Sequence, residues 1–285
     1  MKGTILLLTA LLLFGCAEDP TPDTTGKPMV FVSIPPMAGL LKEIAGNDLE
    51  IRTLLGEGQS PHAYEPTARQ LAALGEAGML FTIGVPFEEA LLKKIKPIYP
   101  KLRIVETDSA IEKRSMPHEH AGHQCTNDHG AKDPHVWLSP QNAERIATCM
   151  FNALAKNNDD RHAKLVQTLK QLDEDLETRL APFNGSRFYV FHPSFGYFAD
   201  RYGLTQVPIE LDGKSPAPRQ LADLIEQAQV DGVKVVFVQK QFPAESAQAV
   251  ADAIGGNVVQ LDPLAEDVVA NLRQIAEAVA QTLEQ

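Results

Sequence analysis

VKVVFVQKQFPAESAQAVADAIGGNVVQLD, residues 233–262, reads as strand, helix, strand. Val233–Gln239 is a short, β-branched apolar run, and PAESAQAVADAIG begins on Pro243, takes helical spacing and stops at Gly255. Asn257–Asp262 is a second β-rich run. Strands that alternate with helices pair in parallel, with each crossover packed on the sheet. The same rhythm runs upstream: a strand at Arg187–His192, a helix in SFGYFADRYG closed by Gly203, a strand at Gln206–Leu211 and a helix in PRQLADLIEQAQ. Downstream, Ala265–Leu283 reads as a closing helix.

The first half repeats the pattern. Strands are expected at Pro28–Ile34, Leu49–Leu55, Met79–Val85 and Leu102–Thr107, with helices in PPMAGLLKEIAG, at Ala68–Gly75 and at Glu88–Lys96. Pro140 opens another helix through about Lys156. Between the halves, Asp160–Leu180 carries Leu165, Leu169, Leu172, Leu176 and Leu180 at spacings of three and four, the stripe of a long amphipathic helix. The expected fold is therefore α/β: two parallel-sheet lobes joined by one long rigid helix, with any ligand in the interlobe cleft at the carboxyl ends of strands. The lobes are expected at 28–156 and 186–285, with the linking helix at 157–185.

Composition narrows the function classes. With 37 Asp+Glu against 26 Lys+Arg, the formal charge is −11. A nucleic-acid backbone, which needs a basic face, is a poor partner for such a chain. Met1-Lys2, the apolar run Ile5–Phe14 and Gly15-Cys16 read as a secretory signal over residues 1–15, too short to span a bilayer. Leu13-Phe14-Gly15-Cys16 resembles the lipobox of bacterial lipoproteins, which implies cleavage before Cys16, acylation of that residue and attachment to a membrane. Residues 16–27 would be a flexible tether. The expected location is the periplasm or outer cell surface. Removing Cys16 from the thiol count leaves Cys125 and Cys149, which an oxidising compartment would allow to bridge. Cys149 equally suits a small buried hydrophobe on a helix face.

Four residues of metal-ligand type fall at loops or strand ends, two per half: His62 in SPHAYEP, His135 in DPHVWLSP, His192 in FHPSFGYF and Asp262 in LDPLAED. Three imidazoles and a carboxylate suit a tetrahedral divalent ion, and neutral imidazole suits zinc in particular. Taken singly, a His beside Pro is an ordinary turn residue, and an Asp before Pro is an ordinary helix cap. Their joint placement makes the case for a site.

PHAYEPT, DPHVWLSP, FHPSFGYFADRYGL and VVQLDPLAED together resemble the ordered motifs of the ZnuA-like metal-binding lipoproteins of bacterial ABC importers. The resemblance covers nearly all of the mature chain. It implies Zn²⁺ as transported ligand held by His62, His135 and His192, with Asp262 or water in the fourth position. It also implies a monomer that delivers the ion to a membrane permease with a cytoplasmic ATPase. Manganese-selective relatives carry Glu where His192 stands, which favours zinc over Mn²⁺ here. Ser60 replaces an Asp often seen in the first motif, and Glu65 is expected to orient the His62 loop.

MPHEHAGHQCTNDHG holds His118, His120, His123 and His129, half of the eight His, within the loop 114–132. Such a cluster reads as an accessory, low-affinity metal collector; the alternative is a solvated loop with incidental His. His162 reads as incidental on its helix. Enzyme signatures fail: the second His of a HExxH motif falls on Gly122, and Pro208 stands where a phosphate loop ending in Gly213-Lys214-Ser215 needs Gly. A zinc hydrolase, with Glu65 as the nearest base, and a surface adhesin on the same scaffold are the competing classes.

Overall fold

The computed structural model describes residues 26–116, 132–154, 159–210, 216–242 and 245–284. The expected signal, Cys16 and the tether up to residue 25 lie outside the described residues, as do Cys125, His118, His120, His123 and His129.

The first sheet is built from β1 (Met29–Val32), β2 (Glu50–Thr53), β3 (Met79–Thr82) and β4 (Arg103–Glu106), in the order β2-β1-β3-β4. Helices α1 (Pro35–Ala45), α2 (Ala68–Leu74) and α3 (Pro86–Ile98) make the crossovers. The second sheet repeats the order as β6-β5-β7-β8, with β5 (Arg187–Val190), β6 (Thr205–Pro208), β7 (Val235–Gln239) and β8 (Asn257–Leu261). Its crossovers are α6 (Gly196–Arg201), α7 (Pro218–Val230) and α8 (Glu245–Ile254). All described strand pairs are parallel. In this order the first and third strands of each sheet lie side by side while their crossovers diverge. That is the geometry that opens a crevice at the strands' carboxyl ends.

In chain order the two sheets are separated by α4 (Pro140–Ala153) and α5 (Asp159–Leu180), which pack on each other and on α1. Helix α5 buries the five expected leucines, and its 22 residues span about 33 Å at 1.5 Å each. The C-terminal helix α9 (Val268–Leu283) packs on α5, α1 and α4, so the last helix returns to the first lobe. Its start is fixed by Asp267, whose carboxylate accepts from the Ala270 N–H at 2.9 Å. None of the described helices is long and apolar enough to cross a membrane.

The buried side chains do not divide into one core per lobe. One cluster runs from β1 and β3 through the α5 leucines and α9 to Phe188, Val190, Val235 and Phe237. A small separate cluster holds Phe191, Val236, Val238 and Val250 on the far face of the second sheet. The two-residue period of β7 makes the split: Val235 and Phe237 face the shared core, Val236 and Val238 the satellite. Since α5 and α9 both contribute to the one cluster that reaches both sheets, they stiffen the connection between the lobes.

Candidate metal centre

His62 lies in the loop after β2. Gly56 N–H donates to Gln59 Oε1 at 2.7 Å, and His62 N–H to Ser60 Oγ at 3.3 Å. Tyr64 OH and Gln70 Nε2 both donate to the Leu54 carbonyl, at 2.5 and 2.7 Å, which ties the loop back to the strand end. Gln70 also completes the capping box of α2 with Thr67. Ser60 thus serves the His62 backbone. Glu65, expected to orient this loop, is exposed, and its carboxylate has no hydrogen-bond or ion-pair partner among the described residues.

His135 precedes a single 3-10 turn, Val136–Leu138, that leads into α4. Asp133 Oδ1 accepts from both the His135 N–H, at 2.9 Å, and its ring Nδ1, at 2.8 Å. His192 follows β5. Gln239, fully buried at the end of β7, accepts from the His192 N–H at 3.1 Å and donates to its carbonyl at 2.5 Å. Glu210, just past β6, sets Oε1 at 2.5 Å from His192 Nδ1, and Phe242 stacks on the ring with centroids 4.8 Å apart.

These elements bring three imidazoles together across the lobes. One nitrogen from each of His62, His135 and His192 lies within 4.8 Å of the others, and the His62 and His192 Nε2 atoms are 3.3 Å apart. Nitrogens 2.0–2.1 Å from a tetrahedral zinc ion are themselves about 3.3 Å apart, so the cluster is close to the size of that shell. A carboxylate oxygen of Asp133 and one of Glu210 lie on Nδ1 of His135 and His192; a carboxylate there favours the tautomer with its proton on Nδ1, which leaves Nε2 to face the cluster. Burial, together with the neighbouring His192 and His135, lowers the His62 pKa to about 4. Burial likewise lowers that of His135, against the pull of Asp133. Both imidazoles are therefore neutral at pH 7 and free to donate to a metal.

Asp262 does not join this cluster. Its carboxylate accepts from Gln241 Nε2 at 3.1 Å and the Leu264 N–H at 3.0 Å, and it pairs with Lys240 Nζ at 3.2 Å. The turn is nevertheless anchored beside the site, since Trp137, whose ring lies 5.5 Å from that of His135, donates its indole N–H to the Pro263 carbonyl. Among the described residues Cys149 has no disulfide partner; burial raises its pKa, and its proposed partner Cys125 is outside the described residues. His162 stacks on Phe151 with centroids 4.1 Å apart and meets Thr148 Oγ1 at 3.1 Å, so it joins α5 to α4 rather than standing idle.

Known proteins place this architecture. A crystal structure of ZnuA superposes with a TM-score of 0.82 at 34% identity, covering 90% of this chain and 99% of that one. Zinc-binding protein AdcA of Streptococcus pyogenes serotype M3 is 26% identical over 93% of this chain and 56% of its own length. The chain thus spans about half of that relative. High-affinity zinc uptake system protein ZnuA of Yersinia pestis is 28% identical over 93% of this chain and 90% of that one. The family model for zinc-uptake complex component A, periplasmic, matches residues 30–285, and the chain belongs to this ZnuA family.

Proposed function

We propose that this protein is the extracytoplasmic zinc-capture component of an ABC importer. It would hold one Zn²⁺ between its lobes on His62, His135 and His192 and pass it to a membrane permease driven by a cytoplasmic ATPase. The observation that carries this reading is the meeting of three imidazoles, drawn from both lobes, with one nitrogen of each within 4.8 Å of the others. Imidazole nitrogen favours zinc over a harder, oxygen-seeking ion such as Mn²⁺. Asp133 and Glu210 behind the rings supply negative charge that a divalent cation would balance.

The fourth position would fall to water or to Asp262, which must leave Lys240 to reach the ion. Capture fits better than hydrolysis. The carboxylates nearest the imidazoles, Asp133 and Glu210, are spent on ring nitrogens, and Glu65 points to no partner at the site. Cys16 would tether the chain to its membrane through lipid, and the four His of segment 114–132 would collect ions near the cleft. Metal analysis of the purified protein, with competitive Zn²⁺ and Mn²⁺ titration of wild type and His192→Ala, tests the reading. One zinc per chain, preferred over manganese and lost in the variant, is the expected result. Unchanged binding in His192→Ala would overturn it.

A further inference from the structure

Beside His135 the two lobes are joined by a small polar network that neither the motifs nor the ligand set accounts for. Arg114 and Asp133 belong to the connection between β4 and α4 in the first lobe, while Tyr197 and Asp200 stand on α6 in the second. The Tyr197 hydroxyl accepts from the Arg114 N–H at 3.2 Å and donates to the Asp133 carbonyl at 2.9 Å. The Asp133 N–H in turn donates to the Arg114 carbonyl at 2.9 Å. The Arg114 guanidinium reaches Asp200 at 3.0 Å and Asp133 Oδ2 at 3.4 Å. Asp133 is fully buried, and its other oxygen holds both the backbone and the ring of His135.

The packing leaves this network one place to sit. A Cβ on Gly196, the first residue of α6, would fall 1.3 Å from Arg114 Nη1 and 2.9 Å from Asp133 Oδ2. The guanidinium therefore crosses from one lobe to the other over a bare backbone. His135 and His192 lie on opposite lobes, so a metal held between them spans the same gap as this network.

We propose that Arg114 and Tyr197 are positioning residues for the metal, forming an interlobe latch that fixes Asp133 against His135 and slows release of the ion. The proposal rests on the zinc-capture reading above. Breaking the latch leaves all three imidazoles in place but frees Asp133, so the ring of His135 loses its fixed orientation. Loss of such an outer hydrogen bond commonly costs about 10–100-fold in metal affinity. Here that cost should fall on dissociation, because His62, the least buried of the three, still offers the incoming ion its first ligand.

The test is zinc release into excess chelator, followed by stopped flow, for wild type, Tyr197→Phe, Arg114→Gln and Gly196→Ala. Gly196→Ala displaces the guanidinium without removing any polar atom, and with Tyr197→Phe it carries the test if Arg114→Gln fails to fold. Each variant is expected to bind one zinc per chain and release it at least about 10-fold faster than wild type. In an Asp133→Asn background, Tyr197→Phe should add little, because its bond to the Asp133 carbonyl matters only for where that residue's carboxylate sits. Lowered Tm with unchanged release, or a full additional effect on top of Asp133→Asn, would overturn the latch. His192→Ala separates the two claims. If it abolishes binding while the latch variants release zinc at the wild-type rate, the latch alone falls. If wild type takes up no zinc, or His192→Ala holds it equally well, both fall.

Discussion

His192 and Glu210 lie just past the ends of neighbouring parallel strands and meet ring to carboxylate, Nδ1 to Oε1, at 2.5 Å. Both are nearly inaccessible to water, 4% exposed each. The carboxylate holds the ring at Nδ1 and so fixes its other nitrogen toward His62 and His135. Glu210→Gln keeps the shape but replaces the anion with an amide that can also donate. Zinc affinity, measured by chelator competition, should fall by about 10–100-fold with the circular dichroism spectrum unchanged. An affinity equal to wild type would deny Glu210 that role.

Glu88 offers a separate test in pH. It is buried at the start of α3, where its carboxylate accepts from the Ile83 and Gly84 amides. Burial raises its pKa from 4.5 to about 7, against those hydrogen bonds. A raised carboxyl pKa means that the folded chain holds a proton the unfolded chain has already lost. This contribution to stability is complete below pH 4.5 and disappears as pH rises toward 7. Relative to Glu88→Gln, wild type should lose about 3 kcal/mol across that window in urea titrations. Parallel profiles for the two proteins would contradict the assignment.

Asp173 is the buried charge on the linking helix. It accepts from Arg201 Nη2 at 2.8 Å, Tyr202 OH at 3.0 Å and Gln141 Nε2 at 3.0 Å, so α4, α5 and α6 converge on one carboxylate. Asp173→Ala leaves Arg201 only Glu177, 3.0 Å away, and takes the acceptor from Tyr202 OH, so it should cost about 1–3 kcal/mol of unfolding free energy, read from the shift in urea midpoint. A cost under about 1 kcal/mol would mean that Arg201 finds an equivalent partner in Glu177.

The shared core bears on motion. Because α5 and α9 both pack into a cluster that reaches the two sheets, wide hinge opening would have to expose that cluster. Solution scattering of metal-free and zinc-loaded protein should give nearly superimposable profiles, with closure confined to small shifts of loops and side chains. A large domain rotation between the two states would refute the stiff connection.

Most of the fold was legible because each strand and helix announces itself locally. Apolar β-branched runs mark the sheets, and the leucine stripe marks α5. Boundaries slipped where tertiary structure intervened. The expected strand Gln206–Leu211 ends at Pro208, because the following residues bend away to bring Glu210 onto His192. The three imidazoles were legible from their place at strand ends and loops, and the structure brings them together. Their carboxylate partners were not. Glu210 is 18 residues from His192, and only the pairing of β5 with β6 makes them neighbours. The available signal was a lone acid within the apolar run QVPIEL. Asp133 stood in plain view within DPHVWLSP, but spacing cannot show which atom its side chain grips. Asp262 illustrates the converse: a strand-end position says nothing of side-chain direction, and Lys240 claims the carboxylate.

X-ray absorption at the zinc edge of protein loaded with one equivalent of Zn²⁺ tests the central claim most directly. Three imidazole nitrogens and one oxygen should give a four-coordinate shell at about 2.0–2.1 Å, with the outer-shell scattering of histidine rings. A sulfur contribution near 2.3 Å, or a six-coordinate shell of oxygens without imidazole scattering, would contradict it.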